Sequence, residues 1–67
     1  MITEIGIVAG EIWHYLDQHG EVMLTDLAKG IGSDINITLM SVGWLGREGH
    51  VIVSKEKGNY KIQLRKS

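Results

Sequence analysis

Sixty-seven residues carrying a net charge of −1, with neither cysteine nor proline, allow one small core and exclude disulfide staples. His14, His19 and His50 have no thiols beside them and no His-x-x-x-His spacing, so a structural zinc site is not encoded, and nothing in the sequence suggests a cofactor. The uncharged run from Ile5 to Gly10 is far too short for a membrane span or signal core, which predicts a cytoplasmic protein that forms one domain over residues 1–67.

From the N-terminus, Ile2, Ile5, Val8, Ala9, Ile12, Trp13, Tyr15 and Leu16 fall on one side of a 100° wheel, within an arc of roughly 160°. Glu4, Glu11, His14 and Asp17 take the other side. Thr3 is placed to cap this first helix and Gly20 to stop it, which predicts a helix over about residues 3–18. A stripe about 100° wide suffices to reach one core, so the extra width, together with Ile7 on the polar side, points to a second covered surface.

Glu21-Val22-Met23 reads as a short extended link. Thr25 is then placed to cap a brief second helix, with Leu27, Ala28 and Ile31 at helical spacing and Gly32 at its end. Ser33 is placed to cap a third helix running to Glu48 and stopped by Gly49, with Asp34 suited to the dipole in its first turn. Two helices joined by about two residues with a glycine between them form a helix-turn-helix in outline.

Past Gly49 the β-branched run Val51-Ile52-Val53 predicts a strand, and Tyr60, Ile62 and Leu64 alternate with Lys61, Gln63 and Arg65 as a half-buried strand does. Lys55-Glu56-Lys57-Gly58-Asn59 forms the turn between them. The predicted class is α+β: a winged helix-turn-helix of three helices, with a short strand after helix 1 and a C-terminal β-hairpin wing. Charge is divided along the chain. Lys29 and Arg47 stand against seven carboxylates in residues 1–50, a net of −5, whereas five cations stand against Glu56 in residues 51–67, a net of +4. That asymmetry suits either an end that faces a polyanion or a hairpin whose lysines prevent edge pairing.

The stretch Val42-Gly43-Trp44-Leu45-Gly46-Arg47-Glu48-Gly49-His50-Val51 resembles the Leu-Gly-Trp-Leu-Ala-Arg-Glu-Gly-Lys-Ile pattern of small stand-alone prokaryotic winged helix-turn-helix proteins, a domain family of unknown function. Leu45, Gly49 and Val51 also meet the general winged-helix pattern of a leucine four residues before a glycine and then an apolar strand. Gly10-Glu11-Ile12-Trp13 and Leu27-Ala28-Lys29 extend the resemblance over nearly the whole chain. It implies DNA binding as the common role, with helix 3 in the major groove and the wing near the backbone. Winged helices also serve as protein-binding modules.

A helix 3 that reads bases needs an apolar inner side and hydrogen-bonding side chains outside. Ile35, Leu39, Val42, Leu45 and Gly46 form the predicted inner stripe, with Thr38 at its margin. The outer side holds Asn36 and Ser41 as candidate base contacts and Arg47 at its end. Lys55, Lys57 and Lys61 on the wing are the candidate phosphate contacts, with Arg65 and Lys66 behind them. Ile37, Met40 and Trp44 lie at i, i+3 and i+7 and make a second apolar stripe. Three readings stand for that stripe: a protein contact such as a homodimer face, a DNA contact, or a Trp44 folded back onto the hairpin beside a singly exposed Met40.

Gly6, Gly10, Gly43 and Gly46 lie inside helices, where each glycine costs about 1 kcal/mol relative to alanine, so close approach of another backbone is expected there. No catalytic constellation is legible, and an enzyme is not expected. His14 sits between Glu11 and Asp17 on a solvated face, and Gly30 and Gly32 lack the preceding strand of a phosphate loop. The expected partners are double-stranded DNA and a second copy of the chain, with no membrane and no small-molecule ligand.

Overall fold

A computed structural model of the chain describes residues 2–65; Lys66 and the side chain of Ile2 lie outside the described residues. The elements are α1 (Ile2–His19), β1 (Val22–Met23), α2 (Leu24–Ile31), α3 (Ile35–Arg47), β2 (Val51–Glu56) and β3 (Asn59–Leu64). The three strands form one antiparallel sheet in the order β1-β3-β2, so the last strand is the central one.

Helix α1 buries Val8, Ala9, Ile12 and Leu16, four of the eight residues of the predicted stripe, and half-buries two more, Ile5 and Tyr15. Trp13 stands at the edge of that stripe and remains exposed. The helix is one residue longer at each end than the pattern indicates, which puts Thr3 within its first turn and not before it. Gly20 ends it as expected, in the left-handed conformation with its N–H donating to the Leu16 carbonyl at 2.8 Å.

The extended link is a strand. Val22 pairs with Ile62 and Met23 with Lys61, and the chain turns from Met23 directly into α2. Thr25 therefore lies inside α2 and does not cap it; its Oγ1 accepts a hydrogen bond from Asn59 Nδ2 at 3.2 Å, which ties α2 to the start of β3. Gly32 closes α2 with φ +68°, and Ser33 N–H donates back to the Ala28 carbonyl at 3.0 Å. The residue that enters α3 is Asp34, one later than the predicted Ser33, and its side chain makes no cap bond.

Leu24, Leu27, Val42, Leu45, Val51 and Ile62 complete the core begun by α1. Complete burial of a side chain such as Ile12, Leu27 or Ile62 contributes roughly 1.5–3 kcal/mol each, which makes the shared core of the three helices and the sheet the main stabilising feature. Gly49 turns α3 into β2, and the β2–β3 hairpin closes on two residues, Lys57 and Gly58, both at positive φ. The turn is tighter than the five residues predicted, because Lys55 pairs with Tyr60 and Glu56 with Asn59 as part of the ladder.

Gly6, Gly10 and Gly43 have nothing within 4 Å of where a Cβ would stand, and Gly46 meets only Val51 Cγ2 at 4.0 Å. The close backbone approach expected at these four positions is absent within the chain. The tight approach is made by a side chain at a different glycine, Gly30, where the ring of Tyr15 occupies the space a side chain would take.

Candidate nucleic-acid interface

The polarity of α3 is rotated from the predicted one. Thr38, Ser41, Val42 and Leu45 face the core and Ile37 packs half-buried against it, whereas Ile35 and Leu39, assigned to the inner stripe, are exposed. Two buried hydroxyls make this register workable. Thr38 Oγ1 donates to the Asp34 carbonyl at 2.9 Å and Ser41 Oγ to the Ile37 carbonyl at 2.8 Å, so neither polar atom is orphaned by burial. Ser41 is fully buried and is withdrawn as a base contact; Ile37 is withdrawn from the free apolar stripe.

The outward face of α3 consists of Asn36, Leu39, Met40, Gly43, Trp44 and Arg47, all exposed. Leu39 (44%), Met40 (42%) and Trp44 (51%) leave a large fraction of their surface in water, so Trp44 does not fold back onto the hairpin. Leu39 and Ile35 were missed as surface residues because apolar side chains occur all round this helix. The spacing of Thr38, Ser41 and Leu45 at i, i+3 and i+7 is the signal that would have found the buried side, given that helical Thr and Ser can bond the i−4 carbonyl.

The last turn of α3 meets the sheet where Gly46 approaches Val51. Val53 and Lys55 lie on the same face of β2 as Val51, by strand alternation, and continue that face beyond the core with both side chains exposed. Lys57 projects from the hairpin tip. Lys61 is different: its ammonium lies 3.1 Å from Glu56 Oε1 and 3.7 Å from Glu21 Oε1 on the outer face of the sheet. Hydrogen bonding to Glu56, then the attraction of Glu21, holds its pKa above the ordinary 10.5. Lys61 is thus engaged by carboxylates, and in doing so it offsets the charge of Glu56, the single acid of the hairpin.

Among the described residues, Arg47, Lys55 and Lys57 have no carboxylate within ion-pair distance. A shallow recess lined by Leu16, Asp17, Gly20, Glu21, Gln63 and Leu64 lies elsewhere, and its two carboxylates make it a poor host for an anion. No helix among the described residues is long and apolar enough to cross a membrane.

Three helices, a turn at Gly32 between α2 and α3, and a hairpin after α3 define a winged helix-turn-helix domain. The chain belongs to the winged helix-turn-helix domain family DUF2582, which it matches over residues 1–64. It is similar to the uncharacterized protein MJ1608 of Methanocaldococcus jannaschii, 37% identical over 97% of this chain and 96% of that protein. Among solved structures it is similar to protein BT2368 from Bacteroides thetaiotaomicron, with a TM-score of 0.82 and 29% identity over 92% of this chain and 76% of the other. The Zalpha domain of Carassius auratus PKZ, solved in complex with Z-DNA, superimposes with a TM-score of 0.81 and 26% identity over 91% of this chain and 97% of that one. The AntR antimony-specific transcriptional repressor shares the fold, with a TM-score of 0.76 and 18% identity over 82% of this chain and 50% of the repressor.

Proposed function

We propose that this domain binds double-stranded DNA in the cytoplasm as a small transcription regulator, with the outward face of α3 laid on a groove and the hairpin on the adjoining backbone. The observation that carries this reading is the set of cations at the end of α3 and along the wing, Arg47, Lys55 and Lys57, that have no carboxylate within ion-pair distance among the described residues. Asn36 is the base-edge candidate. The likeness to a domain in complex with Z-DNA supports a nucleic-acid partner and adds a left-handed duplex to the probes worth testing.

Fluorescence anisotropy of labelled duplexes, one of mixed sequence and one of alternating CG, tests the reading at about 50 and 200 mM salt. Three phosphate contacts predict a loss of affinity of roughly 40-fold between the two, from a slope of about −0.9 per contact. Absence of binding at the lower salt would end it.

The exposed Leu39, Met40 and Trp44 favour a second reading, a protein-docking face occupied by a second copy of the chain. Sedimentation of the same samples separates the two readings: a dimer that Trp44→Ala dissociates, with no DNA binding, belongs to the second.

A further inference from the structure

The composition of the α3 face bears on what kind of DNA site it would read, given the DNA-binding reading above. Sequence-specific winged and helix-turn-helix readers present hydrogen-bonding side chains along the recognition helix, principally toward its N-terminal end. Here the burial of Thr38 and Ser41 removes two of the helix's polar side chains, and both hydroxyls are already bonded to backbone carbonyls of α3. Asn36, near the N-terminus of α3, is the one amide left outside. Arg47 lies eleven residues on, about 16 Å along the axis, in the last turn beside the wing. Between them the surface is Leu39, Met40, Gly43 and Trp44, which can lie against the sugars but offers neither the guanidinium nor the amide that distinguishes base edges.

The magnitudes decide the matter. One well-made amide contact discriminates against a wrong base by about a hundredfold at most, whereas sequence-specific proteins prefer their sites by roughly 10³ to 10⁷. The wing adds affinity without sequence information, because phosphates are the same at every step. Its tip carries a second sign of that emphasis. Lys57 is the one non-glycine residue with positive φ (+46°) among those described, at a turn position where Asn or Asp would sit with less strain. An exposed cation thus stands where local conformational preference asks for a short polar side chain, as expected of a residue held there for contact with an anion.

We infer that the ligand of this face is duplex DNA taken without regard to base sequence, held through its phosphates by Lys55, Lys57 and Arg47 and through its apolar groove surface by Leu39, Met40 and Trp44.

The test measures the full chain against several unrelated duplexes of equal length and, in parallel, selects binders from a randomised duplex pool. The expected result is a spread of affinities within about tenfold and no consensus after selection, the non-specific regime. A selected sequence bound more than about a hundredfold tighter than the pool overturns the inference while leaving DNA binding intact; failure to bind any duplex overturns the DNA-binding reading itself. Lys57→Asn supplies a variant that suits the turn. It is expected to keep or raise the melting temperature, weaken every duplex by the same factor, and make the salt slope shallower by about one. Unchanged affinity, or a loss confined to one sequence, counts against the inference.

Discussion

The ring of Tyr15 on α1 fills the space in which Gly30 of α2 would carry a side chain, so that a methyl group there would lie 2.5 Å from the Tyr15 Cζ and Oη atoms. This contact sets how closely α2 lies against α1, and Tyr15 is held from its other neighbours by packing on the core and by stacking on His19, with ring centroids 4.0 Å apart.

Gly30→Ala is therefore expected to destabilise the domain. Overpacking costs about 1–3 kcal/mol and improved helix propensity returns about 1 kcal/mol. The open site Gly10→Ala is the control and is expected to gain up to about 1 kcal/mol, since nothing lies within 4 Å of it. Thermal melting of the two variants should move in opposite directions, by several degrees each for a domain of about this size.

Ser41→Ala separates burial from recognition. The hydroxyl bonds only the Ile37 carbonyl, so its loss is expected to lower stability by about 0.5–1.5 kcal/mol and to leave affinity for duplex DNA at the wild-type value. A large loss of affinity in a well-folded Ser41→Ala protein would return this residue to the interface.

The Glu21–Lys61–Glu56 arrangement predicts a pH dependence with a definite sign. Its lysine binds a proton more tightly folded than unfolded, chiefly through the hydrogen bond to Glu56 and then the attraction of Glu21. The stability it contributes is fully present below the ordinary value of 10.5 and is lost as pH rises beyond it through the higher folded value. Denaturation midpoints of the wild type should fall toward those of Lys61→Gln as pH climbs past 10.5, every other group being common to both proteins. High salt should narrow the gap at neutral pH as well.

Trp44 offers a direct optical report on the α3 face. Trp13→Phe leaves it the sole tryptophan, half its surface in water. Saturating duplex DNA is expected to quench its emission and shift it to shorter wavelength. Emission unchanged at saturation would move the bound DNA away from this helix.

The element order was legible in the chain because each boundary is local chemistry. Gly20, Gly32 and Gly49 stop helices where only a residue without Cβ takes a left-handed turn easily, and alternation along Tyr60 to Leu64 fixes which face of β3 is buried. The exact caps were less legible. Thr3 and Thr25 lie inside their helices because Met23 passes straight from a strand pair into α2 and because α1 begins one residue early, which are consequences of pairing and packing.

By itself the sequence determined the three helices, the hairpin, the α1 stripe and the division of charge, all of which depend on residues near one another in the chain. The tertiary structure alone decided which side of α3 is inside, because apolar residues surround that helix and buried hydroxyls satisfied by i−4 carbonyls compete on equal terms with Ile35 and Leu39. It likewise decided which lysines are free: Lys61 meets Glu21 only because β3 lies between β1 and β2, forty residues of chain brought together by strand order, and Lys55 and Lys57 are left facing water.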